Sequence, residues 1–172
     1  MLFCSNRGKE NKKGKFDNHE RVSRLNEELN KLGMRTWFDE DGLEGHVVDD
    51  VVDEREIDGM RREMDSSEAV IICITKGYLE KVAQTENVND KCKLEFTHAS
   101  TRTTTTTTTT HSKAGLMYPV VMAADCLDVG KWKGAVGLVV GGRVFEDLSD
   151  DKDVEEVALN LVAFLKARRE ER

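Results

Sequence analysis

The clearest pattern in the chain is a helical repeat of apolar positions between residues 17 and 33. Asp17 is a suitable N-cap with Glu20 three residues later, and Gly33 provides a C-terminal stop. The apolar positions between them recur every three or four residues, at Val22, Leu25, Leu29 and Leu32. This spacing predicts an amphipathic first helix.

Three later segments also have helical character. Residues 47–64 form an imperfect apolar stripe, in which Gly59 predicts a break. Residues 93–99 predict a short helix, whereas 78–91 are polar and mixed. The last helix is predicted from apolar positions at Val154, Val157, Ala158, Leu161, Val162 and Leu165.

Short apolar runs alternate with these helical segments. Ala69–Ile74 is uninterrupted and rich in β-branched residues, which is typical of a central strand covered on both faces. Shorter runs at 2–4, 34–38 and 117–122 predict further strands, and 136–140 is another apolar stretch. The alternation predicts an α/β fold, a flavodoxin-like three-layer sandwich around a five-stranded parallel sheet in the order 2-1-3-4-5.

The length of 172 residues predicts one domain, residues 1–172. Within it, residues 101–112 are predicted to be an inserted low-complexity loop, because Thr103–Thr110 is a homopolymer that cannot pack a core. Deleting these threonines is expected to leave folding nearly unchanged.

Composition and charge argue against several classes of function for this chain. A formal net charge of −7 argues against nucleic acid or an anionic membrane surface as partner. Every apolar run is far shorter than the roughly 20 residues of a spanning helix. Four dispersed cysteines and the lack of a signal-peptide pattern predict a cytoplasmic protein with reduced thiols. The cysteines and histidines lack metal-ligand spacing, so no metal is expected.

Several short motifs follow one another along nearly the whole chain. They are Phe3–Arg7, Trp37–Gly45, Val70–Ile74 with Tyr78, Cys92–Glu95 with Ala99, Tyr118–Val121, and Trp132 with Gly134 and 142–148. In this order they resemble six parts of the TIR (Toll/interleukin-receptor homology) domain: the first-strand box, the second strand with the BB loop, the third strand and its exit, the C-x-x-E segment, the fourth strand, and the tryptophan connection with the fifth strand. Asn6 replaces the usual aromatic of the first box, and the BB loop lacks proline.

The resemblance implies a signalling protein that assembles with other TIR domains and that cleaves NAD at the bond between nicotinamide and ribose. It places the catalytic glutamate at Glu95, and NAD is then a substrate rather than a cofactor. The implied NAD-binding positions are Ser5, Arg7, Trp37, Asp39, Leu43, Gly45 and Cys92. Two functions stay open, an NAD glycohydrolase and a non-enzymatic adaptor or scaffold that recruits other TIR domains.

Other interpretations of single residues also stay open. Glu95 is either the catalytic carboxylate or a solvated residue on a short helix. The segment 39–45 is either an assembly loop bordering the cleft or an acidic connection. Cys92 is expected to be partly exposed and reactive, and Cys73 to be a small core residue. For Trp132, a packing role in the core is the favoured interpretation, and stacking on adenine is the alternative.

Three other nucleotide or phosphate sites are disfavoured. The third strand ends at Ile74-Thr75-Lys76 without the aspartate of a phosphoacceptor receiver. The segment 8–15 has five residues between its glycines and Phe16 after the lysine, so it does not match a P-loop. No G-x-G-x-x-G opens a helix after the first strand, which argues against a Rossmann dehydrogenase.

Overall fold

Strands and helices alternate along the chain, as the apolar pattern predicts. A computed structural model describes residues 2–5, 17–38, 54–86, 90–104, 116–150 and 153–170. The strands are β1 (Leu2–Ser5), β2 (Thr36–Phe38), β3 (Ala69–Ile74), β4 (Leu116–Val121) and β5 (Glu146–Asp147). The helices are α1 (Asn18–Lys31), α2 (Glu54–Ser66), α3 (Lys76–Ala83), α4 (Lys91–Thr104), α5 (Gly134–Val140) and α6 (Val154–Glu170).

The strands pair in parallel in the order β2-β1-β3-β4-β5. β3 is central and pairs along its whole length with β4, from Ala69 opposite Leu116 to Ile74 opposite Val121. β5 contributes only two residues, which pair with Val120 and Val121. The predicted α/β class with a parallel sheet is therefore confirmed.

Both faces of β3 are covered, which explains its unbroken apolar sequence. Ala69, Ile71 and Cys73 pack into a cluster with α1 and α6. Val70, Ile72 and Ile74 pack into a second cluster with residues of α2, α3, α4 and α5. Consecutive residues of a strand point to opposite faces, so a strand between two helical layers has no solvated side.

The predicted ends of α1 are confirmed in atomic detail. The backbone N–H of Glu20 donates to Asp17 Oδ1 at 2.9 Å, and the backbone N–H of Asp17 donates to Glu20 Oε2 at 2.9 Å. The helix is followed by Gly33 at φ +80°, a left-handed conformation that glycine adopts without steric cost. The residues that begin and end this helix therefore act through contacts and conformations within a few positions of the chain.

Three secondary-structure predictions were wrong or incomplete. α2 runs without a break from Glu54 through Gly59 to Ser66, because burial of Met60 and Met64 anchors the turns that follow the glycine. The polar segment after β3 contains α3, whose first turn is capped by Thr75 Oγ1 accepting from the Tyr78 N–H at 3.1 Å. The apolar stretch 136–140 belongs to the helix α5.

Helix α4 is longer than predicted and extends to Thr104, so it includes the first residues of the proposed 101–112 loop. The remaining residues of that loop lie outside the described part of the chain. In the described ranges, none of the helices has the length and apolarity needed to cross a membrane.

Candidate functional site

Glu95 occupies a position in the buried stripe of α4. The stripe consists of Cys92, Glu95, Phe96 and Ala99, with the i, i+3, i+4 and i+7 spacing of a packed helix face, and all four residues are at most 2% exposed. A glutamate at such a position loses its hydration, so it is retained only where other groups compensate its polarity. The interpretation of Glu95 as a solvated surface residue is wrong.

The position of Glu95 along the sheet follows from contacts of Arg102 at the other end of α4. The Arg102 guanidinium donates to the backbone carbonyls of Met64, Asp65 and Ser67, with Nη2 at 2.8 Å from the Ser67 oxygen and 3.4 Å from the Asp65 oxygen. These residues end α2 and immediately precede β3. The C-terminal end of α4 therefore lies at the amino edge of the sheet.

The N-terminal end of α4 must then lie toward the carboxyl edge. Glu95 precedes Arg102 by seven helical residues, a rise of about 10 Å, and the six residues of β3 extend about 20 Å. The backbone N–H of Cys92 donates to Asp90 Oδ1 at 2.9 Å, which caps this end of the helix. Lys93 Nζ donates to the Gln84 carbonyl at 2.5 Å and ties the same end to α3.

Carboxyl edges of parallel sheets are where open α/β folds bind ligands. Glu95 is about 10 Å closer to this edge than Arg102 is, on the face of the sheet covered by α2, α3, α4 and α5. A buried carboxylate in this region can supply negative charge in a medium of low dielectric constant, where it stabilises a nearby cation more strongly than in water.

The other predicted site residues are only partly placed. Trp37 is half-buried and packs against the same core cluster that contains Cys92. Glu95, Cys92 and Trp37 therefore belong to the same side of the sheet. Ser5 is the last residue of β1, in register with Ile72. Arg7, Asp39, Leu43 and Gly45 lie outside the described residues.

Two predictions about cysteines have opposite outcomes. Cys73 is 2% exposed in the core of β3, which confirms its structural role. Cys92 is 1% exposed, so the prediction that it is partly exposed is wrong. The spacing from Cys92 to Glu95 places both on the inward stripe of α4, and a thiol buried there is shielded from reagents in solvent.

Trp132 has the packing role that its residue type favours. Its ring is buried, the indole N–H donates to the Cys126 carbonyl at 2.7 Å, and the ring centroid lies 5.7 Å from that of Phe145. The indole therefore fixes the loop between β4 and α5.

Arg102 is the residue of this region that the sequence did not reveal. It lies in the threonine-rich segment predicted as a loop, yet it joins α4 to the end of α2. One turn before Arg102 on α4, His98 Nε2 lies 2.7 Å from Asp65 Oδ1. Burial lowers the pKa of the Arg102 guanidinium, and the nearby Asp65 carboxylate acts in the opposite direction. The local sequence gave no signal for this contact, because the carbonyls that Arg102 bonds lie 35 to 38 residues away in the chain.

Comparisons with protein-family models, curated proteins and solved structures found no match to this chain. Within the described residues, no group of three or more histidine, cysteine, aspartate or glutamate side chains is arranged to hold a metal ion. The absence of a metal stays a prediction for the whole chain.

Proposed function

We propose that this chain is a TIR-type signalling domain that assembles with other TIR domains in the cytoplasm and hydrolyses NAD, with Glu95 as the catalytic carboxylate. The observation that carries the proposal is the position of Glu95 on the half of α4 nearer the carboxyl edge of a parallel sheet, where open α/β folds bind ligands. The fold proposed with it is the flavodoxin-like three-layer sandwich with a five-stranded sheet.

The chemistry requires one carboxylate held close to the ribose that carries nicotinamide. When the bond between the ribose carbon and the pyridinium nitrogen breaks, its electron pair leaves with nicotinamide, which departs as a neutral molecule without protonation. The ribose develops oxocarbenium character, and the negative charge of Glu95 stabilises it. Water then adds to the ribose carbon and loses a proton, giving ADP-ribose; attack by a group of the ADP-ribose itself would give a cyclic product.

The NAD-binding positions in this proposal are Ser5, Arg7, Trp37, Asp39, Leu43, Gly45 and Cys92. Trp37 lies on the same side of the sheet as Glu95, which supports including it. The buried thiol of Cys92 acts through packing one turn before Glu95, and its proposed contribution is to the position of α4. Basic residues such as Arg7 would neutralise phosphate charge.

A second candidate function is a non-enzymatic TIR scaffold. The observation in its favour is the 2% exposure of Glu95, which leaves little of the carboxylate accessible to a substrate. In that case the carboxylate would hold α4 in place, and the domain would act by recruiting other TIR domains.

The test is nicotinamide release from NAD by purified protein, measured for the unsubstituted chain, Glu95→Gln and Glu156→Gln. Glu156 is exposed on α6, on the opposite side of the sheet, so it is a matched control for loss of one carboxylate. We expect Glu95→Gln to reduce the rate by roughly a hundredfold and Glu156→Gln to leave it unchanged.

The thermal midpoint of each variant separates loss of chemistry from loss of folding. Equal rates for Glu95→Gln and the unsubstituted chain would remove Glu95 from the mechanism. No nicotinamide release from folded, assembled protein would leave the scaffold as the function.

A further inference from the structure

Arg102 bonds backbone groups on both sides of the joint at which α2 ends and β3 begins. Its guanidinium donates to the carbonyls of Met64 and Asp65, in the last turn of α2, and to that of Ser67, between the helix and the strand. The guanidinium is planar, and its donors have a fixed geometry relative to one another. Bonds to carbonyls on either side of the joint therefore fix the angle at which α2 meets the sheet.

The side chain of Asp65 adds contacts to the same joint. Its Oδ1 atom lies 2.7 Å from His98 Nε2 and 3.8 Å from Arg102 Nε. His98 and Arg102 are about one turn apart on α4, so α4 holds the end of α2 through two side chains. The last turn of α2 has no basic residue of its own to bond its terminal carbonyls. Arg102 supplies these donors from the neighbouring helix.

Glu95 lies on the same side of α4 as Arg102. The two residues are seven positions apart, close to two turns of about 3.6 residues, so their side chains leave the helix in nearly the same direction. Arg102 reaches the end of α2, so Glu95 is also on the side of α4 that faces α2, about 10 Å nearer the carboxyl edge. Both helices have their C-terminal ends at the amino edge, and α2 therefore runs alongside α4 toward Glu95.

Few side chains hold α2 in the core. Of residues 57–66, Met60 and Met64 are buried, whereas α6 buries six side chains. Burial of apolar surface is the main force that holds a helix against a sheet. The bonds from Arg102 at the joint therefore contribute a large share of the attachment of α2.

We infer that α2 is a lid over Glu95 and that Arg102 is the positioning residue that holds this lid closed. This role rests on the proposed function, because it explains how a carboxylate that is 2% exposed gains access to NAD. Rotation of α2 about residues 66–68 breaks the Arg102 bonds on one side of the joint and uncovers the side of α4 that carries Glu95. Withdrawal of the guanidinium from these carbonyls therefore increases access to the site.

The first experiment measures how fast a thiol reagent modifies a cysteine placed under the lid. Glu95→Cys and Met60→Cys are made separately in a Cys4→Ser background, and the second of them keeps Glu95 in place. Modification is followed at each cysteine by mass spectrometry. Cys73 is buried on the opposite side of the sheet, so its rate in the same sample measures global unfolding.

Each probe is combined with Arg102→Lys and, as a matched control, with Arg169→Lys. Lysine keeps the positive charge and loses the planar array of donors. Arg169 bonds Glu68 at the start of the same strand, with Nη2 2.7 Å from Oε2 and Nε 3.0 Å from Oε1, but it does so from α6 on the opposite side of the sheet.

We expect Arg102→Lys to raise the labelling rate under the lid, relative to Cys73, by about tenfold or more, as loss of hydrogen bonds to a charged group implies. Arg169→Lys should leave this ratio unchanged. A lid requires both probe positions to respond, and Met60→Cys alone decides if Glu95→Cys does not fold. A ratio unaffected by Arg102→Lys, or an equal rise with Arg169→Lys, would overturn the inference.

Nicotinamide release by the chain with Arg102→Lys as its only substitution separates the lid from the proposed enzyme. We expect the KM for NAD to fall by the factor by which the labelling ratio rises, with kcat unchanged, because a larger fraction of the protein is open to substrate. Arg102-dependent labelling without nicotinamide release from any folded variant keeps the lid and removes the enzymatic function. Nicotinamide release with a KM unaffected by Arg102→Lys keeps the enzyme and removes the lid.

Discussion

Gly137 in α5 is the position where adding a single methyl group is expected to have a large effect on folding. A Cβ atom built on Gly137 would overlap the carbonyl oxygen of Trp132 and lie 3.0 Å from its carbonyl carbon. Carbon atoms in contact are normally about 3.5–4.0 Å apart, so α5 or the preceding loop must move. The loop resists, because Trp132 is buried and its indole N–H is bonded to Cys126.

The magnitude follows from what this movement disrupts. Displacing α5 withdraws Val136 and Val140, both fully buried, from their core cluster. Overpacking of this kind costs about 1–3 kcal/mol, and partial exposure of two valines adds a similar amount, so we expect a loss of about 3 kcal/mol for Gly137→Ala. For a domain of this size the thermal midpoint should fall by about 6–12 °C.

The assay is thermal unfolding followed by circular dichroism, with Gly59→Ala as the matched control. Gly59 lies inside α2 and a Cβ there meets no atom within 4 Å, so alanine should stabilise the helix by about 0.5–1 kcal/mol. The two substitutions are chemically identical and should have opposite signs. A Gly137→Ala midpoint within about 2 °C of the unsubstituted chain would refute the packing argument.

Two further predictions concern the α2–α4 junction and alkaline pH. Replacing Arg102 with alanine removes the donors to the carbonyls in the last turn of α2 and just after it. This substitution should lower the free energy of unfolding by about 2–3 kcal/mol in urea titrations, whereas the exposed control Arg61→Ala should have little effect. Burial raises the pKa of Cys126 from 9.0 to about 11, and burial, followed by Glu146, raises that of Tyr118. The folded state keeps the Cys126 proton after the unfolded chain loses it, so the contribution of this thiol to the free energy of unfolding should be constant below pH 9.0 and fall between pH 9.0 and about 11. The contribution of Tyr118 should begin to fall at higher pH, from 10.0 upward. Cys126→Ala should make the first fall shallower, and an unchanged slope would contradict the assignment.

Much of the fold could be predicted because its signals are local. Asp17 and Glu20 cap α1 through residues three positions apart, and the β-branched run of β3 already indicates a strand buried on both faces. The sequence did not predict α3, because the segment is mostly polar. The helix depends on a single cap at Thr75 and on the packing of Tyr78 and Val82 against residues from other parts of the chain.

The identity of the candidate site residue could be predicted from the sequence, but the surroundings of its side chain could not. The family resemblance selected Glu95, and helical spacing grouped it with Cys92, but neither could give the direction in which that stripe faces. The stripe faces inward, so the alternative of a solvated Glu95 and the expectation of a partly exposed Cys92 are both wrong.

By itself, the sequence determined the α/β class, the parallel direction of the strands and the ends of α1, because caps, periodicity and apolar runs act over a few residues. Only the tertiary structure decided that Glu95 is buried, that Arg102 joins α4 to the end of α2, and that Leu138 faces solvent. These properties depend on contacts between segments far apart in the chain, where packing density and desolvation decide which side chains are covered.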